Sequence, residues 1–191
     1  MWKMKQIEKL AHGLTQQYGT SSPFELCDYL GIDVFGPELP ARVKGLCFQN
    51  QEGGSVILLN RTLEGQEKKF CCAHELGHVL LHPGLNAQTM ADLTNLCVPR
   101  YEHEADFFVA CLLIDPDLDE WSQSYDPLTV DQIACLSGLP KRVVDLRFDG
   151  AGKRYVGLSN ILDSIGMEEF RRREPVKRAH RYIVGAILVC S

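Results

Sequence analysis

Hydrophobic positions recur at helical spacing over residues 3–18, where Ile7, Leu10, Ala11 and Leu14 share one face and Gly19 ends the run. A shorter helix follows, with Ser22 placed to cap it, Pro23 in its first turn and Gly31 as its stop. The pattern then becomes that of strands. Ile32 to Phe35 reads as one strand, and residues 42–49 and 55–60 as two more, flanking a hairpin turn at Asn50-Gln51-Glu52-Gly53-Gly54. Val56-Ile57-Leu58-Leu59 is apolar at every position, which predicts cover on both faces of that strand.

Helical spacing returns from Leu63 to His82, where Pro83-Gly84 forbids continuation. Residues 85–99 read as irregular with at most one helical turn. A second long helix spans Tyr101 to Ile114 and stops before Asp115-Pro116. It is apolar nearly all round, so it belongs in the centre of the fold. Thr129 caps a helix from Val130 to Leu136, and Gly138-Leu139-Pro140 turns the chain into another from Lys141 to Arg147. Beyond Gly150 the pattern weakens to a helix near 159–171, a basic link and an apolar end. The chain thus divides into a main domain over 1–125, a helical pair over 126–149 that completes it, and an appendage over 150–191.

Composition narrows the class. The charged N-terminal decapeptide lacks the apolar run of a signal peptide. The longest apolar stretch near the C-terminus, Tyr182 to Cys190, is far shorter than the roughly 20 residues of a membrane span. These features predict a cytoplasmic protein without a membrane partner. Eight cysteines, none in a Cys-x-x-Cys pair, sit in apolar company and read as reduced, buried thiols. Residues 1–140 carry 9 basic and 19 acidic side chains, a balance that repels nucleic acid, whereas residues 141–191 carry 11 and 6. The basic tail, around Arg171-Arg172-Arg173, is either a solvated helix face or a surface that touches an acidic partner.

Chemistry concentrates in His74-Glu75-Leu76-Gly77-His78. Two histidines four apart on a helix project from one face one turn apart, as a tetrahedral zinc ion requires. In such motifs the glutamate faces the fourth position, where a water binds. Zinc lowers that water's pKa from about 15.7 to about 7, and the glutamate takes its proton. Phe70, Cys71, Ala73, Leu76, Val79 and Leu80 surround these residues with apolar side chains. Burying two histidines and a glutamate in such a helix is costly unless a metal holds them. Gly77 leaves room for close packing. Cys71, one turn before His74, is either a small core residue or a thiolate within reach of the metal. His82, one turn beyond His78, either stabilises the helix C-terminus or lends its ring to the site.

A third histidine ligand of the metzincin kind is missing after His78, because Leu81 stands where that pattern needs glycine. The next helix supplies Tyr101-Glu102-His103-Glu104-Ala105-Asp106 instead. Its two glutamates lie about 200° apart around the helix, so only one faces the zinc. Glu102 shares its face with Asp106, which can accept the free N–H of a ligand histidine, whereas Glu104 has Phe108 at that offset. Glu102 is therefore the expected ligand, with Asp106 behind His74 or His78. Glu104 remains the alternative if the helix start is distorted. Tyr101, His103 and His82 are polar candidates for stabilising an oxyanion.

The helix from Phe70 to His82, followed by Tyr101-Glu102-His103-Glu104-Ala105-Asp106-Phe107-Phe108-Val109-Ala110-Cys111-Leu112-Leu113, resembles the ImmA/IrrE family of metallopeptidases. Tyr18-Gly19, Pro23-Phe24-Glu25-Leu26 and Val43-Lys44-Gly45-Leu46 are similar to it as well, so the likeness covers roughly residues 3–148. The chain departs from the family in having Asp106 where asparagine is usual. The resemblance implies an α+β, gluzincin-like fold: a small twisted β-sheet packed on the HExxH helix and a second buried helix, with a mainly helical C-terminal part. It further implies a zinc-dependent endopeptidase in which His74, His78 and Glu102 hold Zn2+ and Glu75 is the catalytic base. Family members occur in bacteria, phages and mobile elements, and some cleave helix-turn-helix repressors. A repressor of a mobile element or stress regulon is therefore the expected substrate, held extended against a strand edge within residues 42–60.

Two other classes compete. Residues 129–140 with Val143-Val144 have helix-turn-helix spacing, but their exposed side chains are not notably basic, so a structural helical hairpin is the simpler account and nucleic acid is not an expected partner. The other alternative is a zinc-stabilised regulatory module without turnover.

Overall fold

A computed structural model describes residues 2–49, 54–83, 98–125, 128–148 and 187–189. The fold is α+β. Helices α1 (Met4–Tyr18) and α2 (Pro23–Leu30) lead into strands β1 (Ile32–Phe35), β2 (Gly45–Gln49) and β3 (Ser55–Leu59). Helices α3 (Gly65–Leu81) and α4 (Val98–Leu113) form the centre. A single 3-10 turn (Asp115–Asp117), α5 (Leu118–Ser124), α6 (Val130–Ser137), α7 (Lys141–Phe148) and β4 (Ile187–Val189) follow. The sheet order is β1-β3-β2-β4, with β1 parallel to β3 and the other pairs antiparallel. No helix among the described residues is long and apolar enough to cross a membrane.

Local chemistry accounts for most boundaries. Gly19, Gly31 and Gly138 end α1, α2 and α6 in the left-handed conformation that favours glycine. Thr129 caps α6 through the backbone N–H of Gln132, whose side chain returns the bond to the Thr129 N–H. Ser22 occupies the cap position of α2, but its side chain makes no capping bond. Helix α4 starts three residues earlier than its apolar pattern predicts, because Pro99 suits a first turn, where no N–H is needed. The 3-10 turn and α5 carried no sequence signal of this kind. The irregular segment at 85–97, the hairpin turn at 50–53 and the helix near 159–171 lie outside the described residues.

The sheet lays one face on α3. Ile57 and Leu59 of β3 are fully buried there, while Val56 and Leu58 are only half-buried, so the expected cover on both faces is incomplete. Strand β4 takes the side of β2 away from β3, pairing with Gly45–Cys47. The open strand edge expected within 42–60 is thus filled over those residues, and only Phe48 and Gln49 extend past it.

Gly77 sets the approach of α3 to α4. A Cβ there would sit 3.2 Å from the Phe108 ring and 3.4 Å from the Ala105 Cα. Helix α4 is buried on every side from Glu104 to Leu113, as a helix apolar nearly all round requires. Of the described cysteines, Cys27, Cys47, Cys71, Cys72 and Cys111 are buried and none is in a disulfide. Cys135 departs from the expectation and is exposed, because α6 turns that side of its surface to solvent.

Candidate metal centre

Helix α3 buries everything from Cys71 to Val79, so the side chains of His74, Glu75 and His78 point into packed protein. Its last carbonyls are satisfied from three directions, as a buried helix end requires. The Gln49 side-chain N–H donates to Val79 O at 3.0 Å, the Trp2 indole N–H to Leu81 O at 2.5 Å, and the His82 N–H to His78 O at 3.0 Å. The helix that carries the histidines is thereby fixed at its end as well as along its face.

His74 Nε2 and His78 Nε2 lie 3.0 Å apart. Glu102 reaches both from α4, with Oε2 3.2 Å from His74 Nε2 and Oε1 3.5 Å from His78 Nε2. Donor atoms of these three residues all fall within 4.8 Å of one another, a grouping that can hold a metal ion. A zinc ion with nitrogen and oxygen ligands at about 2.0–2.1 Å in a tetrahedron spaces them about 3.3 Å apart. The observed spacings of 3.0–3.5 Å bracket that value. The donor set, two imidazoles and a carboxylate, is also one that zinc favours.

Behind this triangle, His74 Nδ1 lies 3.1 Å from Asp106 Oδ1, and the guanidinium of Arg142 from α7 holds the other oxygen of Asp106. Since a carboxylate only accepts, His74 carries its proton on Nδ1, and in its neutral form Nε2 presents a lone pair. His78 Nδ1 lies 3.1 Å from His82 Nδ1, and His82 Nε2 lies 3.0 Å from Glu104 Oε2. Arg100 donates twice to Glu104 Oε1, at 3.0 and 3.2 Å. His82 therefore does more than cap the helix, which was the simpler expectation. Glu104 turns away from the triangle and takes His82 and Arg100 in place of the partners its Phe108 neighbour could not supply.

Burial pushes the His78 imidazole down to about 4, against the pull of Glu102. Burial alone would raise the Glu102 carboxyl, but hydrogen bonds and charge from His74 and His78 outweigh it and hold the group at about 2. Near neutral pH the site thus presents an uncharged His78 beside a carboxylate, the protonation states a metal ion needs.

Glu75 is fully buried on the side of α3 that meets β2. A Cβ at Gly45 would lie 2.8 Å from Glu75 Oε1 and 2.6 Å from Cys71 Sγ, so the bare glycine backbone is what lets β2 pass this carboxylate. Asn60 fixes the chain around that point. Its buried amide donates to Leu39 O and Val43 O, and its backbone N–H donates to Lys44 O. Neither Gly45 nor Asn60 could be singled out from sequence, since their roles depend on what the fold brings against them.

The other polar residues near the motif take different places. Cys71 is buried beside Gly45 and is not among the grouped donors. Hydrogen bonding to Cys27, reinforced by burial, pushes the Cys72 thiol far up, so it is an inert core group. Tyr101 packs its ring edge-on to His82 at 4.7 Å, whereas His103 is exposed. Glu8, His12 and Asp115 form a second group of possible donors. There Arg147 already occupies Asp115 at 2.8 Å and Glu8 at 2.7 Å, so an arginine stands where a cation would. On α7, Lys141 pairs with Asp131, Arg142 with Asp106 and Arg147 with Asp115, which leaves this helical hairpin with little basic surface for a phosphate backbone.

Comparison with known proteins agrees with the geometry. Residues 27–148 match the peptidase M78 family, described as the IrrE N-terminal-like domain. The chain is 33% identical over 141 residues to "Uncharacterized immunity region protein 2" of Bacillus phage phi105, covering 74% of this chain and 88% of that protein. It is 26% identical over 153 residues to "Metallopeptidase ImmA" of Bacillus subtilis (strain 168), covering 80% of this chain and 89% of that one. The paired helices, the histidines one turn apart and these matches lead to one assignment: the chain belongs to the ImmA/IrrE family of metallopeptidases.

Proposed function

We propose that the chain is a zinc-dependent endopeptidase acting in the cytoplasm on a regulatory protein. The observation that carries this reading is the triangle of His74 Nε2, His78 Nε2 and Glu102, spaced at 3.0–3.5 Å like the edges of a zinc tetrahedron. In this reading those three residues are the ligands and Asp106 orients His74. A bound zinc ion supplies Lewis acidity, polarising a peptide carbonyl and making water acidic near neutral pH. Glu75, on the same buried helix, accepts the proton of the attacking water and passes it to the leaving amine. Residues 1–125 and the helical pair at 126–149 act together, since Arg142 from the pair holds Asp106.

A phage relative named as an immunity region protein and a bacterial relative named as a metallopeptidase support a substrate of the same setting. That substrate is a helix-turn-helix repressor of a mobile element or stress regulon. The test uses the full chain with a co-encoded repressor. Glu75→Gln keeps stoichiometric zinc and loses cleavage, while His74→Ala loses both. A wild-type chain that holds full zinc yet leaves every co-encoded repressor intact would point instead to a zinc-stabilised module without turnover.

A further inference from the structure

His82, the residue that caps the C-terminus of α3, continues the four-residue spacing of His74 and His78, and the reaction above assigns it nothing. It is buried between His78 on one side and Glu104 on the other. Proton accounting along this line has one favourable solution. Two N–H groups of Arg100 on Glu104 Oε1 keep that residue a carboxylate, which can only accept. His82 Nε2, 3.0 Å from Glu104 Oε2, must then carry a proton and donate it. In a neutral imidazole the other nitrogen, Nδ1, is a lone pair. The Nδ1 of His78, 3.1 Å away, must therefore be the donor of that contact, which leaves His78 Nε2 as a lone pair. The reverse order would set a lone pair of His82 against the Glu104 carboxylate.

We propose that His82, Glu104 and Arg100 form a positioning relay that fixes the tautomer and ring orientation of His78, so that its Nε2 lone pair meets the metal. The proposal rests on the zinc reading and adds three residues to it. It mirrors the Asp106–Arg142 pair behind His74, so each ligand histidine has an acid and an arginine behind it, one directly and one through a second imidazole. Glu104, the alternative ligand, has a different task under this scheme. Partners that hold a ligand histidine by its other nitrogen are worth about 10–100-fold in metal affinity.

The test compares the wild-type chain with His82→Leu and His82→Gln. Zinc affinity is measured by competition with a chromophoric chelator, and the His78 tautomer by 15N NMR of the metal-free protein near pH 7.5. Wild-type His78 is expected to carry its proton on Nδ1. His82→Leu should mix the tautomers and weaken zinc binding about 10–100-fold. His82→Gln should restore both, because one amide offers an oxygen to His78 and an N–H to Glu104. A wild-type proton on His78 Nε2 overturns the relay, as does a folded His82→Leu with unchanged tautomer and zinc affinity within twofold of wild type. The wild-type spectrum needs no variant, so it decides even if His82→Leu fails to fold. A wild-type chain that binds no zinc at all sinks the proposed function, while the tautomer still judges the relay.

Discussion

Replacing Gly45 by alanine adds one methyl at the point where β2 crosses α3, and its consequences can be worked from three distances. The new carbon would lie 2.6 Å from Cys71 Sγ, 2.8 Å from Glu75 Oε1 and 3.0 Å from Glu75 Cγ. Optimal carbon contacts fall near 3.5–4.0 Å, so the methyl is about 1 Å too close to two side chains of one rigid helix. Overpacking of this kind costs about 1–3 kcal/mol. For a chain of this size that lowers Tm by several degrees. Relief comes either by lifting β2 or by turning Glu75 away, and a displacement of about 1 Å at a reacting group can cost about 100-fold in rate. The expected outcome is a folded protein of lower Tm, zinc affinity within a few-fold of wild type, and kcat/KM on a repressor substrate reduced about 100-fold. Adding Cys71→Ala removes the 2.6 Å contact and should recover part of the Tm but not the cleavage, because the contact with Glu75 stays. Wild-type Tm and wild-type cleavage in Gly45→Ala would refute the reasoning, and with it the position assigned to Glu75 against β2.

Acid should destabilise the metal-free protein in two steps. His78 is lowered from 6.5 to about 4, so its contribution is complete above pH 6.5 and disappears as pH falls towards 4. Glu102 is lowered from 4.5 to about 2, so its contribution disappears between those values; chemical denaturation of the chelated protein from pH 7.5 to 3 checks both signs, and stability that rises on acidification would contradict them. Arg147→Ala should cost roughly 2–3 kcal/mol, less than a fully buried pair, since it strips the half-buried Asp115 and Glu8 of a shared partner and unlinks α7 from α1. Zinc affinity should be unaffected by that change, and a denaturant midpoint equal to wild type would show the network to be inert.

Much of the site was legible because its logic is local. Four-residue spacing puts His74 and His78 on one helical face whatever the rest of the chain does, and the Glu102–Asp106 offset does the same on α4. Neighbours one turn apart along α4 favour Glu102 but leave Glu104 without a polar partner. His82 reaches it from the end of α3, and Arg100 from the first turn of α4, ahead of the Tyr101 start that the apolar pattern predicts. Gly45 was equally illegible, since nothing along β2 announces that a carboxylate packs against it. Strand patterns lost detail for a related reason. Val56 and Leu58 have the composition of a fully covered strand, yet burial depends on what packs over each face, and sequence names only one such layer.

The two arginines also explain why so many acids can share one buried space. Glu75, Glu102, Glu104 and Asp106 bring four acidic side chains beneath the surface, or to its edge in the case of Glu102. Arg100 offsets Glu104 and Arg142 offsets Asp106, and both guanidiniums keep solvent contact at the rim, where a charge is cheap to hold. Glu102 has no arginine among these partners and faces the imidazoles of His74 and His78 instead. Near neutral pH this is an uncharged imidazole against a carboxylate, since His78 is held down to about 4 and Glu102 down to about 2. In the proposed function a divalent cation among His74, His78 and Glu102 would meet that carboxylate with charge of the opposite sign. The arginines thus offset the acids behind the histidines and leave Glu102 to the two imidazoles, so charge as well as distance supports the proposed metal site.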